Sequence, residues 1–241
     1  MNAKQEPEDL SIIIPAYFES ENLQILLAKI CAEFPKAFIC IVDDSDFKER
    51  KKLERLAQTL KNNRLNFIFR YVKSGRGSAV IDGLTYMLKT YNTYYYVEMD
   101  ADLAHDVRDI KKMQLKARDA DLVIGSRYLP GSRITDWPVR RLIQSRIINA
   151  GLNLWLGLNI SDYTNDLRLY RRQAVRYLVS IRLREKGFIA LSEIAYKLSK
   201  QGFTLTEVAV TFTDRKFGQS NANFSELLAS LVGAIRIRLR S

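Results

Sequence analysis

Two aspartates, Asp100 and Asp102, stand two residues apart directly after the run Tyr94-Tyr95-Tyr96-Val97-Glu98-Met99. That run has the aromatic and apolar composition of a strand. A strand ending this way delivers both carboxylates to the rim of a sheet. There they are close enough to share one hard divalent cation while leaving positions open for a substrate's phosphates. Aspartates also cap helices, so the spacing by itself fits either role. A second chemical group lies downstream, where residues 125–146 carry Arg127, Arg133, Arg140, Arg141 and Arg146, with Trp137-Pro138 among them. Proline is favoured at the first helical position, and a helix beginning near Pro138 puts Arg141 and Ser145 on one face at i, i+4. With Arg127 arriving from a strand end, these residues form a candidate phosphate pocket, because guanidinium recognises phosphate through paired hydrogen bonds. A solvated basic helix face is the plainer use of the same residues. Nucleic-acid binding is not expected, since an extended basic tract with regularly exposed aromatics is missing.

The elements that must position these groups are legible as alternating patterns. Short apolar runs at 10–15, 38–42, 66–72, 94–99, 122–125 and 204–212 read as strands. Stretches of helical period at 19–34, 48–62, 77–91, 107–118, 139–157 and 189–201 read as helices between them. Such alternation predicts an α/β domain with a mainly parallel sheet flanked by helices on both faces. In open sheets of this kind, ligands sit beyond the carboxyl ends of the strands. The chain places Pro15, Tyr17 and Glu19 at one such end, Asp43-Asp44 at a second, Asp100 and Asp102 at a third, and Gly125-Ser126-Arg127 at a fourth. Chance supplies one such end easily; four together favour a site.

No internal repeat or low-complexity linker divides the chain, so a single domain is expected over 9–223. Residues 224–241 differ in character. Leu227, Leu228, Leu231, Val232 and Ile235 form an apolar stripe at helical spacing, followed by Arg236, Arg238 and Arg240. Such a basic amphipathic helix suits an anionic membrane interface. A helix packed on the domain and an oligomer contact are two other uses of the same stripe.

The formal charge of +11 over 241 residues calls for an anionic partner. With 47% hydrophobic residues, the chain can bury a full core. Cys31 and Cys40 fit no metal or redox spacing and are expected to pack inside as free thiols. His105 is the one histidine, which argues against histidine-based metal sites and Ser-His-Asp catalysis; it reads as a helix-start residue. Gly75-Arg76-Gly77-Ser78 is neither a P-loop nor a dinucleotide fingerprint and reads as a tight turn into a helix at Ser78. The polar, acidic first ten residues do not read as a signal peptide, and no window of about 20 residues is apolar enough to span a bilayer. The chain is therefore expected in the cytoplasm or lying on the cytosolic face of a membrane.

Several pieces of sequence recur in a fixed order along nearly the whole chain. They are Ile14-Pro15-Ala16-Tyr17-Phe18-Glu19 with Glu21-Asn22-Leu23, Ile41-Val42-Asp43-Asp44, Gly75-Arg76-Gly77-Ser78-Ala79, and Met99-Asp100-Ala101-Asp102-Leu103-Ala104-His105. Next come Gly125-Ser126-Arg127-Tyr128, Trp137-Pro138-Val139-Arg140-Arg141-Leu142, Ser161-Asp162-Tyr163-Thr164 and Arg168-Leu169-Tyr170-Arg171-Arg172. Phe212-Thr213-Asp214-Arg215, with Gly218 and Ser220, completes the set. The ordered set resembles family-2 glycosyltransferases of the GT-A (Rossmann-like) fold, most closely the dolichol-phosphate mannose synthase group.

That resemblance implies transfer of a hexose, mannose first, from GDP-mannose or a UDP-sugar to dolichyl or polyprenyl phosphate, with inversion at the anomeric carbon. It implies that Pro15, Tyr17, Glu19 and Asp44 hold the base and ribose. Asp100, Ala101 and Asp102 would sit on the donor diphosphate, with the two aspartates binding Mg²⁺ or Mn²⁺. Arg215 would contact donor phosphate, and Arg127, Arg141 and Ser145 would cradle the lipid phosphate. A separate membrane anchor subunit or a homo-oligomer is compatible with it.

The chain departs from the family pattern at several points. Phe18 stands for the usual asparagine, Ser45-Asp46 for a glycine-serine turn, Asn165-Asp166-Leu167 for serine-glycine-phenylalanine, and Asn221 for a donor-phosphate lysine. Ala104 stands where a polar residue often helps bind the metal, which leaves Asp102 carrying most of the metal's attachment. Two other readings keep the same fold. One is transfer to a sugar hydroxyl with Asp162 as base; the other is a non-catalytic nucleotide-sugar-binding subunit.

Overall fold

The structure is a computed structural model that describes residues 10–60, 62–70, 72, 75–185, 187, 189–214 and 224–239. The first half alternates strictly: β1 (Leu10–Ala16), α1 (Ser20–Glu33), β2 (Phe38–Asp43), α2 (Phe47–Leu60), β3 (Leu65–Phe69), α3 (Arg76–Thr90) and β4 (Tyr95–Glu98). Then follow α4 (Asp109–Lys116), β5 (Leu122–Ser126), β6 (Arg133–Thr135), α5 (Val139–Leu156), β7 (Arg168–Arg171) and α6 (Arg172–Ser180). The last elements are α7 (Ile189–Lys200), β8 (Leu205–Ala209), β9 (Thr211–Thr213) and α8 (Phe224–Leu239).

Seven strands form one sheet in the order β3-β2-β1-β4-β7-β5-β8. All neighbours pair in parallel except β7, which runs antiparallel to both β4 and β5. β6 and β9 make a separate parallel pair. The six predicted strands and six predicted helices are present. The run predicted as one strand over 204–212 is two, because Val210 breaks the line: its N–H bonds Ser126 O, and β9 continues beside β6.

Residues alternate between two cores, as the period of a strand requires. Ile13, Cys40 and Val42 face α3 with Leu84 and Met87, while Ile12, Ile14 and Ile41 face α1 with Leu23 and Leu27. Each such fully buried side chain contributes about 1.5–3 kcal/mol. Gly83 lets α3 approach the sheet: a Cβ there would lie 2.6 Å from Ile13 Cγ2. Cys31 and Cys40 are free thiols, and Cys40 is buried, which pushes its thiol up to about 12.

α8 lies against the domain through Ala234 and Ile237, which are buried. Trp155 Nε1 donates to Ala234 O at 2.8 Å. The side chains of Leu227, Leu228 and Leu231, and Arg240, lie outside the described residues.

Candidate active site

The carboxyl ends of β1, β2, β4 and β5 open on one rim, and β7, running the other way, brings its amino end to the same rim. Glu98 and Ile124 both stand opposite Arg168, the first residue of β7. Arg168 is fully buried and donates to the carbonyls of Asn165, Leu191 and Tyr163 at 3.0, 2.6 and 2.8 Å. It fixes the loop before β7, so Asp162, Thr164 and Asp166 reach the rim from an element that sequence reading did not identify.

At the β1–β3 end, Asp44 lies in a two-point ion pair with Arg70, Nε and Nη2 each 2.5 Å from a carboxylate oxygen. Arg70 Nη1 also donates to Ser78 and Asp82 at 2.9 and 3.0 Å, which ties β2, β3 and α3 together. Tyr17 and Phe18 are exposed, their rings edge-to-face at 4.7 Å. Phe18 has φ 59°, a left-handed conformation costly for a side chain of this size. Its N–H donates to Ser45 Oγ at 2.7 Å, and Ser45 Oγ donates to Asp43 at 2.6 Å, so Ser45 replaces a glycine-serine turn with a bonded one. Glu19 accepts from Asn22 Nδ2 at 2.6 Å, and Pro15 is half-buried in β1.

At the centre, Arg76 reaches across the rim from the start of α3 to Asp100 Oδ1 (2.7 Å) and towards Glu98 (3.5 Å). The Gly75–Ser78 turn is therefore more than a turn. The helix begins at Arg76, one residue before the predicted stretch 77–91 and two before Ser78, with Gly75 at φ 92°. Glu98 is wholly buried; burial raises its pKa, and Arg76 and Arg168 pull it back only in part. Ala101 is buried in the core, so its backbone alone can face a ligand. Asp102 Oδ1 accepts the Ala104 N–H at 3.1 Å around Leu103, whose φ is 63°.

His105 is not a helix-start residue. It is buried, its main chain bridges to Phe212, and its Nε2 lies 2.6 Å from Asp166 Oδ1. Asp166 in turn shares a hydrogen bond with Asp100. Burial and the facing Asp166 carboxylate push Asp100 well above the usual carboxylate range, although Arg76 opposes this. Burial also works on Asp166, but the hydrogen bonds from Asp100 and His105 outweigh it and hold that carboxyl well below.

At the β5 end, Arg127 donates to Asp162 from its backbone N–H (3.1 Å), Nε (2.7 Å) and Nη2 (2.7 Å), and to Thr164 Oγ1 (2.8 Å). Burial opposes its charge, but Asp162 outweighs burial and keeps the guanidinium protonated. Arg127 and Arg141 approach the same Trp137 ring at 5.3 and 4.2 Å from its centroid. Ser145 accepts from Tyr128 O–H at 2.5 Å, one residue from Arg127. The structure therefore brings Arg127, Arg141 and Ser145 together about Trp137 and Tyr128. Arg141 also bonds Asp214 at 2.8 Å. Phe212 joins the two halves of the rim, its ring 5.0 Å from His105, 5.3 Å from Trp137 and 5.4 Å from the Arg127 guanidinium. Arg215, Gly218, Ser220 and Asn221 lie outside the described residues.

α5 carries apolar residues on two sides. Leu152 and Leu156 are buried, while Val139, Ile143, Ile147 and Leu154 are exposed. Val232, Ile235 and Leu239 of α8 are exposed as well. Among the described residues no helix is long and apolar enough to cross a membrane. No three His, Cys, Asp or Glu side chains among them are grouped so that they could hold a metal ion.

The profile of Glycosyl transferase family 2 matches residues 11–179. A polyprenol monophosphomannose synthase of Mycolicibacterium smegmatis is 33% identical over 218 residues, 90% of this chain and 82% of that protein. An undecaprenyl-phosphate mannosyltransferase of Micrococcus luteus is 30% identical over 215 residues, covering 86% of this chain and 85% of its own. Among solved structures, a mannosyltransferase from Pyrobaculum calidifontis in complex with GDP-Man and Mn²⁺ superposes with a TM-score of 0.68 at 16% identity, covering 97% of this chain and 64% of that one. Glucosyl-3-phosphoglycerate synthase from Mycobacterium tuberculosis, in complex with Mn²⁺, uridine diphosphate and glucosyl-3-phosphoglycerate, superposes at 0.63 with 15% identity, covering 96% and 78%. These two share the fold.

Proposed function

The chain belongs to glycosyl transferase family 2, and on that premise we propose that it moves a mannosyl group from a nucleoside diphosphate sugar to a polyprenyl phosphate. The observation that carries this reading is the convergence of Arg127 and Arg141 on Trp137, with Ser145 bonded to the neighbouring Tyr128, on the same rim as Asp100 and Asp102. One group fits an acceptor phosphate and the other a donor diphosphate, with Phe212 between them.

The donor end fits a hard divalent cation, Mg²⁺ or Mn²⁺. Asp100 and Asp102 offer carboxylate oxygens, the donor type that hard divalent cations take. Bound there, the ion would offset the charge of the nucleoside diphosphate as it leaves. Tyr17, Phe18 and the Asp44–Arg70 pair form the rim where a base and ribose would rest, GDP-mannose first and a UDP-sugar next.

The acceptor needs no base. A phosphate monoester, with a second pKa of about 6, is largely dianionic at neutral pH. Arg127, held rigid by Asp162, and Arg141 would orient it, and orientation with charge neutralisation is the main catalytic contribution. Asp162 is unsuited to deprotonate a sugar hydroxyl, because it is wholly buried and Arg127 takes both its oxygens.

The outer face of α5 supports a placement on a membrane. Arg141 and Ser145 point into the pocket, while Val139, Ile143, Ile147 and Leu154 present an uncovered apolar stripe. That stripe, with the outer face of α8, would lie at the cytosolic membrane surface and admit the polyprenyl chain.

The reading is tested by incubating the protein with GDP-mannose or UDP-glucose, Mn²⁺ and a short polyprenyl phosphate, with products identified by mass spectrometry. A mannosyl phosphopolyprenol supports it. Nucleotide binding with no transfer from any donor would favour a non-catalytic sugar-nucleotide-binding subunit.

A further inference from the structure

A cleft of about 1040 Å³ lies between α7, α8, the first turn of α3 and the segment 181–185. Among the described residues, none of Asp100, Asp102, Arg127 or Arg141 lines it. Arg182, Arg184, Lys197 and Arg236 do, with Glu185 and Glu193 as the carboxylates. Both carboxylates are already engaged. Glu193, buried on α7, accepts the N–H groups of Arg184 (2.9 Å) and Glu185 (2.8 Å) and pairs with Lys197 Nζ at 2.7 Å. Lys197 also donates to Arg182 O at 2.8 Å, and Glu185 faces Arg236 at 3.7 Å. The segment is thus pinned from both helices. Gly233 lets α8 come this close, since a Cβ there would lie 2.9 Å from Glu185 Oε2. Arg182 and Arg184 are exposed, and their guanidinium groups have no partner among the described residues.

Two unpaired guanidinium groups on a pinned segment suit a phosphate, which arginine takes through paired hydrogen bonds. The amino end of α3 adds to this, because Gly75 caps it without a side-chain hydrogen bond and helix amides favour anions. The neighbouring surface says which phosphate. On α8, Val232, Arg236 and Leu239 stand at i, i+4 and i+7 and so share one face. Val232 and Leu239 are 46% and 73% exposed, so a phosphate beside Arg236 has apolar surface on both sides of it along the helix. Resting on the membrane placement above, we propose that this cleft holds the headgroup phosphate of an anionic phospholipid. Arg182 and Arg184 are its main donors, and the acyl chains lie against Val232 and Leu239. The site is separate from the acceptor pocket around Trp137, and it turns α8 toward the same surface as the outer stripe of α5.

The test is co-flotation of the full chain with vesicles of phosphatidylcholine, alone or mixed with phosphatidylglycerol. Melting temperatures are recorded alongside. Arg182→Gln combined with Arg184→Gln is expected to weaken binding to the phosphatidylglycerol vesicles about tenfold or more, with an unchanged melting temperature. Glu193→Gln should weaken it as well, although it makes the chain more positive, because the segment loses its anchor. Tighter or unchanged binding by Glu193→Gln would mean diffuse attraction and overturn the proposal. Should Glu193→Gln not fold, Lys48→Gln combined with Arg55→Gln on α2 decides. That pair removes the same charge, and a loss equal to that of the Arg182–Arg184 variant would also overturn the site. Unchanged flotation of the Arg182–Arg184 variant would overturn the cleft and leave the membrane placement standing. Failure of the unaltered chain to float with either vesicle would overturn the placement itself. Inorganic phosphate is titrated calorimetrically in parallel. Phosphate binding that the double arginine variant loses, with flotation unchanged, would assign the cleft to a soluble anion instead.

Discussion

Arg127 and Asp162 form a two-point ion pair, Nε and Nη2 each 2.7 Å from a carboxylate oxygen, with Asp162 fully buried. The pair keeps the Asp162 carboxylate from acting as a base and holds the Arg127 guanidinium in place on the Trp137 ring that Arg141 also approaches. Breaking a buried pair by neutralising one partner costs about 3–5 kcal/mol. Asp162→Asn should therefore lower the melting temperature strongly, measurable by calorimetry. A small stability change would mean that Arg127 finds another partner.

Because the acceptor supplies its own anion, the pH profile of transfer should follow the phosphate. The rate should rise with pH through about 6 as the monoester loses its second proton and then level off. A further rise tracking an enzyme group above neutrality would point to a base that this account lacks.

Arg141 is the accessible half of the acceptor pocket. Charge-assisted hydrogen bonds contribute about 1.5–3 kcal/mol each, so Arg141→Ala should raise the KM for polyprenyl phosphate roughly tenfold to a hundredfold. Nucleotide affinity, measured by calorimetric titration, should stay nearly constant. Its collapse would move Arg141 to the donor side.

The outer stripe of α5 should hold the protein on anionic vesicles. Ile143 and Ile147 are 53% and 66% exposed, so replacing both with Asp should abolish co-flotation without lowering the melting temperature. Retained flotation, with a change in oligomeric state, would make this face a contact between protein chains.

Gly83→Ala tests the packing of α3 on the sheet. Alanine favours a helix by about 1 kcal/mol, but its Cβ would meet Ile13 Cγ2 at 2.6 Å. Ile13 is β-branched and fully buried, so it yields little. Overpacking of this kind costs about 1–3 kcal/mol, and the variant should be destabilised in urea melts.

The strand ends carrying Asp44, Asp100, Asp102 and Arg127 were legible because a strand's direction alone sends them to one rim. Arg141 and Ser145 were legible from helical spacing. β7 was not. Arg168 and Arg171 at its ends look solvated, yet Arg168 is buried on three carbonyls. Without β7 there was nothing to bring Asp162 and Asp166 to the rim. Arg70 and Arg76 were missed because their partners lie 26 and 24 residues away. An arginine between two glycines at the start of a helix, as at Arg76, is the one local sign that was present. The His105–Asp166 contact spans 61 residues and has no local sign at all.

The most direct test of the central claim supplies labelled GDP-mannose and Mn²⁺ to the protein with either a short polyprenyl phosphate or the corresponding polyprenol. The account predicts a mannosyl lipid from the phosphate alone, lost in Asp102→Ala. Transfer to the free alcohol, or to a sugar hydroxyl in preference to the phosphate, would contradict it.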